Sequence, residues 1–217
     1  SPASSINSNS PAGEFLISHQ VRPQDFNSFG ARRGNHHIMM RGTFGNSQVR
    51  NELVPGNQGG LTRHQPSKTV IPIFEAAMKY KTDGVPLIIV AGKEYGTGSS
   101  RDWAAKGVRL LGVKAVIAES FERIHRSNLI GLGVLPLEFK DGQSRKSLNL
   151  NGDETFDIMG ITDEIRPQMD LNCTITSANG SQIDISLLCR IDTSDEAEQI
   201  KNGGILQLVL RRFLEAQ

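Results

Sequence analysis

Apolar residues along this chain recur with two periods, and the switch between them marks the predicted elements. Helical spacing appears first over 69–81, with Val70, Ile73, Phe74, Ala77 and Met78 on one side. An unbroken apolar run at 86–91, Pro86-Leu-Ile-Ile-Val-Ala91, predicts a buried parallel strand. A helix follows at about 100–111, then a strand at 115–118, a helix over 121–130 and a strand at 134–139. That rhythm predicts a parallel sheet flanked by helices. From about residue 148 the period shortens. Alternating runs at 155–158, 171–177 and 182–189, with Asn179-Gly180 as a tight-turn signal, predict an antiparallel β section. Ser194 is placed to cap a short helix. A last helix is expected over 204–214, with Ile205, Leu208, Val209 and Phe213 facing inward. The fold class is therefore α/β, a parallel β core with flanking helices plus an antiparallel part.

The first stretch carries little periodicity. Residues 1–35 are rich in Ser, Asn, Pro and Gly, and are expected to form an extended linker with at most one short helix near 13–19. Residues 36–217 are taken as one domain. A helical turn is expected just before Arg41, and the Pro and Gly residues of 55–66 predict a loop.

Composition narrows the function only by exclusion. At 217 residues the chain can bury one full core. A formal net charge of +1 gives no global field for nucleic acid or membrane. No apolar run approaches the roughly 20 residues a bilayer span needs, so no membrane partner is expected. The N-terminus lacks the basic-then-apolar pattern of a signal peptide, and a cytoplasmic location is expected. Opening on Ser1 is expected of an excised or processed chain. Cys173 and Cys189 are expected as buried thiols of a reducing compartment. Two cysteines cannot alone hold an iron–sulfur cluster or a structural zinc.

The candidate chemistry sits in Gly96-Thr97-Gly98-Ser99-Ser100-Arg101-Asp102-Trp103, between the strand at 86–91 and the next helix. A strand-to-helix turn offers unpaired N–H groups and the positive end of a helix dipole, a place to hold an anion. Dinucleotide binding is one reading, since Gly96-x-Gly98 approaches the fingerprint and Glu119 lies about 20 residues on, where a ribose-binding acid belongs. Two departures oppose it. Arg101 stands where Gly or Ala should, and Gly92-Lys93-Glu94-Tyr95 separates the strand from the first motif glycine. A plain N-cap by Ser99 or Ser100 is a second reading. It leaves the extra hydroxyl and the guanidinium without a purpose. A carboxylate-binding catalytic turn is the third: Arg101 can make two parallel hydrogen bonds to a carboxylate, and a serine can be aimed at a substrate carbon. Proton abstraction by that serine demands strong stabilisation of its alkoxide.

The string from Gly92 through Arg101-Asp102-Trp103-Ala104-Ala105-Lys106-Gly107 resembles the swivelling C-terminal domain of the aconitase family. So do Glu119-Ser120-Phe121-Glu122-Arg123-Ile124-His125-Arg126-Ser127-Asn128-Leu129, Phe26-Asn27-Ser28-Phe29-Gly30-Ala31-Arg32-Arg33-Gly34-Asn35, Met40-Arg41-Gly42-Thr43-Phe44 and Ser1-Pro2-Ala3. The resemblance runs nearly end to end and is nearest the bacterial aconitase A and iron-regulatory branch. It implies a swivelling β/β/α fold and a hydro-lyase that interconverts citrate and isocitrate through cis-aconitate. It implies a 4Fe-4S cluster held by upstream domains that this chain lacks, so the isolated chain is expected to be inactive. By motif position, Ser99 resembles the serine that takes and returns the proton. Ser100 and Arg101 resemble substrate-carboxylate contacts, and Arg41 a second substrate-binding arginine, although on residues alone a surface ion pair is the plainer account of Arg41.

Alternatives stay open. The substrate could be 2-methylisocitrate, or the chain could resemble the free small subunit of isopropylmalate isomerase. Iron-regulatory relatives bind messenger RNA without their cluster, so an RNA-binding regulator is carried as a different class. The charge gives that class no support. His125, which could be taken for a general base touching substrate, is expected instead to make hydrogen bonds among Arg123, Arg126 and Asn128 that are structural or support substrate-touching residues. His36 and His37 are adjacent, are expected to point apart, and make a poor metal pair. Asp102 is expected to support the helix start, and Arg32, Arg33, Arg50 and Arg63 to form a docking face for the upstream domains.

Overall fold

The computed structural model describes residues 1–57, 59–98, 102–161 and 164–216. The backbone groups into two compact units, one of residues 1–86 with 106–112, the other of residues 87–105 with 113–217.

The second unit contains the expected α/β core. Strands β3 (Leu87–Val90), β4 (Val113–Ala118) and β5 (Leu135–Phe139) are parallel neighbours. Helix α4 (Trp103–Leu110) lies between the first two in sequence and α5 (Arg123–Gly131) between the second two. The alternating runs become β6 (Thr155–Ile158), β7 (Asp170–Thr176) and β8 (Gln182–Cys189). β8 pairs antiparallel with β5, Leu137 opposite Cys189, so both parts form one six-stranded sheet of order β3-β4-β5-β8-β7-β6. The turn at Asn179-Gly180 closes with Ser177 N–H donating to the Ser181 carbonyl. Ile117, Leu137, Leu171, Ile175, Leu187 and Cys189 are fully buried on this sheet, beneath Ile130 of α5 and Ala197 of α6 (Ser194–Lys201). The cap of α6 is Thr193 rather than Ser194, its hydroxyl accepting from Glu196 N–H at 3.2 Å.

One ion cluster ties α5 to α6. The buried Arg126 guanidinium donates to both Glu196 carboxylate oxygens at 2.9 Å and to the Arg190 carbonyl at 2.8 Å. Asp192 lies 3.2 Å from the same guanidinium. Those hydrogen bonds pull Glu196 below the usual carboxylate range, although burial alone would raise it.

The first unit departs most from expectation. Residues 1–35 are structured: α1 (Pro11–Ser18) starts on a Ser10 cap with proline at its first position, and a 3₁₀ turn follows at Pro23–Asp25. Ile6, Ala12, Leu16, Phe26 and Phe29 from this stretch are buried. The serines and asparagines act as caps and turns around sparse apolar anchors. The expected turn before Arg41 is α2 (His36–Arg41), capped by Asn35. The expected helix at 69–81 divides into strand β2 (Thr69–Pro72) and helix α3 (Ile73–Thr82). β2 pairs with β1 (Leu61–His64), which falls within the stretch expected as loop. Pro72 lacks the N–H a helix interior needs, so the helix begins after it.

The last helix, α7 (Ile205–Glu215), has the expected extent and the opposite orientation. Only Leu208 is buried, while Ile205, Val209 and Phe213 are exposed.

Candidate active site

Chain leaving β3 does not enter α4 directly. Residues 91–98 run alongside the segment that follows β4, held by Ala91 N–H to the Ile117 carbonyl, Glu119 N–H to Gly92 and Tyr95 N–H to Ser120. Glu122 N–H returns a bond to the Tyr95 carbonyl, and Glu94 N–H donates to the Ser120 hydroxyl at 2.8 Å. The described start of the glycine turn is therefore an extension of the sheet edge, pinned through Tyr95. A dinucleotide fingerprint opens its helix within the glycine motif, whereas here the described residues 91–98 and Asp102 are not helical.

Gly96 is the fixed point of this turn. Its φ is 100°, and a Cβ there would lie 2.4 Å from the Cβ, Cγ and Cδ2 of His125. Only glycine fits. The His125 ring is buried, 2% exposed, and packs 5.2 Å from the Tyr95 ring. Its Nδ1 is buried without a hydrogen-bond partner among the described residues. Nδ1 thus makes none of the expected hydrogen bonds among the described residues, and the ring is held by packing. Burial pushes its pKa down to about 4, against the opposing pull of Glu122, so the ring is neutral at pH 7. Glu122 caps α5 by accepting from Ile124 N–H at 3.0 Å and His125 N–H at 2.7 Å. Tyr95 meets Phe121 edge-on at 6.0 Å. None of this was visible in the sequence, because it depends on the turn lying against the start of α5.

Ser99, Ser100 and Arg101, the expected base and two of the expected substrate contacts, lie outside the described residues. Their approach is described up to Gly98, at φ 87°, and their exit from Asp102, whose carbonyl accepts from Ala105 N–H as α4 opens.

Arg41 belongs to the first unit. Its guanidinium lies between the rings of Phe15, 4.2 Å to the centroid, and Phe74, 4.3 Å, and donates to the His37 carbonyl at 2.6 Å. No ion pair of Arg41 occurs among the described residues, so the surface-pair account is replaced by an aromatic clamp. A guanidinium held on both faces keeps its edge for in-plane hydrogen bonds. Around it stand three imidazoles. His19 packs on Phe15 at 4.2 Å, and His36 and His37 approach each other to 3.9 Å rather than pointing apart. Phe15, Phe74 and His19 are the neighbours that sequence reasoning missed.

Arg32 donates to the Phe26 and Asp25 carbonyls, Arg50 to Ser47 and Arg63 to Leu53, so three of the four expected docking arginines hold their own loops. Cys173 and Cys189 are free and buried, as expected, and burial pushes both thiols up to about 11. Such thiols do not suit iron ligation, which needs thiolates. No group of three His, Cys, Asp or Glu residues able to hold a metal ion occurs among the described residues. A 4Fe-4S cluster does not fit the residues of this chain.

The chain belongs to the aconitase C-terminal domain family, whose model matches residues 12–142. It is 60% identical over 214 residues to aconitate hydratase A of Pseudomonas aeruginosa, and 56% identical over 215 residues to that of Escherichia coli K12. Each match covers 99% of this chain and 24% of the relative, so the chain spans about a quarter of their length. A solved structure of 3-isopropylmalate dehydratase from Methanocaldococcus jannaschii aligns at 24% identity and TM-score 0.39, over 76% of this chain and 87% of that one.

Proposed function

We propose that this chain is the C-terminal quarter of an aconitate hydratase, the part that supplies the proton-carrying serine and the carboxylate-binding arginines. The observation that carries this reading is the 60% identity to aconitate hydratase A across 99% of the chain. The anatomy of the turn supports it.

On this reading, Ser99 as an alkoxide takes a proton from the substrate carbon beside a carboxylate and returns it in the reverse direction. Arg101 and the first amides of α4 stabilise the alkoxide, which a serine in water cannot sustain. Ser100 and Arg101 hold one substrate carboxylate and Arg41 another. Holding a tricarboxylate at several points fixes the reacting carbon opposite Ser99. The Gly96–His125 contact keeps the turn from yielding as charge develops. A 4Fe-4S cluster bound by preceding domains would supply Lewis acidity that this chain's own residues do not offer, and without it the chain alone would turn over nothing.

The test is an assay of the full-length, cluster-loaded polypeptide with citrate, isocitrate, cis-aconitate and 2-methylisocitrate. Interconversion of the first three with higher kcat/KM than for the methylated substrate is expected. Strong preference for 2-methylisocitrate overturns the choice of substrate, and activity in the chain alone overturns the division of labour.

A further inference from the structure

Helix α7 presents the wrong side to its own unit. At about 3.6 residues per turn, Ile205, Leu206, Val209, Leu210, Phe213 and Leu214 share one continuous half of the helix surface. A surface helix normally turns such a half inward. Here Leu206 is 72% exposed, Leu210 60%, Phe213 68% and Leu214 64%. The attachment is made by the other half. Leu208 is buried, and Arg211 donates to the Asn202 carbonyl at 2.8 Å and to its side-chain oxygen at 2.7 Å. α7 is thus fastened by its polar side to the end of α6, with its apolar side turned outward.

We infer that the apolar face of α7 is a docking surface for the part of the polypeptide that precedes this domain. The inference rests on the reading of the chain as the C-terminal quarter of a longer enzyme. Contiguous apolar patches above a few hundred Å² are rare on monomers and mark contact sites. Area selects the occupant. One face of an 11-residue helix, about 16 Å long, offers roughly 400–600 Å², less than the about 800 Å² per partner of a stable association between separate molecules. It suits an interface within one chain, where the tether supplies an effective concentration in the millimolar range. The relatives extend well beyond the match, which spans only 24% of their length, so further chain to dock against is available in the same polypeptide. The occupant is an apolar groove or helix face in those preceding residues. The arginines on the opposite side of α7 take no part in it.

The experiment uses the full-length polypeptide. Leu210→Cys and Phe213→Cys are reacted with a small thiol reagent, beside Glu215→Cys in the middle of the polar side, and labelling is read site by site by peptide mass. Labelling at 210 and 213 at least tenfold slower than at 215, independent of protein concentration, is expected. Equal labelling at all three positions overturns the inference. So does protection that vanishes on dilution, which assigns the face to a second copy. If a cysteine variant fails to fold, hydroxyl-radical footprinting of the unsubstituted polypeptide decides. Phe213 should oxidise as slowly as the buried Phe139, and oxidation at the rate of a fully exposed phenylalanine contradicts docking. Labelling is independent of turnover: protection without citrate activity leaves docking standing and removes the substrate reading. Activity without protection does the reverse.

Discussion

The α-carbon of Gly96 lies against the His125 imidazole so closely that a methyl group there would sit 2.4 Å from three of its atoms. Those atoms include Cβ, close to the backbone of α5, so the ring cannot simply swing aside. Gly96→Ala combines this overlap with a φ of 100° that an L side chain rarely adopts. A cost of about 2–4 kcal/mol is expected in urea unfolding. Adding His125→Ala should recover only the part due to overlap with Cγ and Cδ2, leaving the overlap with Cβ and the backbone strain. A fully additive double mutant would show that the two residues do not meet.

His125 also gives the chain a pH dependence whose sign can be worked out. Its folded pKa, about 4, lies below the ordinary value of 6.5. The unfolded chain therefore binds the proton more readily between those values, and stability falls as pH drops from about 6.5 toward 4. The difference corresponds to a loss on the order of 3 kcal/mol. Urea midpoints at pH 7.5, 6 and 5 should fall in that order, and His125→Asn should flatten the trend.

The ion cluster on Arg126 predicts a second, more acidic transition. Glu196 is held below the ordinary carboxylate range, so its contribution is complete above about pH 4.5 and is lost as pH falls through the folded value. Arg126→Ala leaves the half-buried Glu196 carboxylate without its cation and should cost about 2–3 kcal/mol, the scale of hydrogen bonds to a charged group. The double variant Arg126→Met with Glu196→Leu should recover much of that loss in thermal unfolding.

Arg41 owes its placement to stacking, which makes lysine a poor substitute. An ammonium cannot lie flat between Phe15 and Phe74, nor offer two parallel N–H groups to a carboxylate. Arg41→Lys in the full-length enzyme should reduce kcat/KM for citrate by about 10–100-fold, the loss of a bond to a charged group. An unchanged kcat/KM would confine Arg41 to holding α1, α2 and α3 together.

The sheet was legible because strands β3 to β8 carry unambiguous apolar runs or alternation. Turn residues such as Asn179-Gly180 marked their ends. The 69–81 segment was not, since Val70, Ile73, Phe74 and Ala77 satisfy helical spacing while Thr69 to Pro72 extend to pair with β1. Strand pairing is non-local and leaves no mark in a short window. Amphipathicity revealed that α7 has an apolar face, but not which way it turns, because that depends on the Arg211–Asn202 anchor. At the site, the turn announced itself by density of glycine, hydroxyl and guanidinium. The support beneath it did not: Gly96 and His125 are far apart in sequence, as are Phe15, Arg41 and Phe74, and only folding brings each set together.

The account stands on a hydroxyl at position 99 that carries the substrate's proton. Ser99→Ala in the full-length, cluster-loaded polypeptide measures this most directly. With citrate, kcat should fall by at least about 10²–10⁴-fold, the usual contribution of a general base, while KM stays within a few-fold. A kcat near that of the unsubstituted enzyme would contradict it.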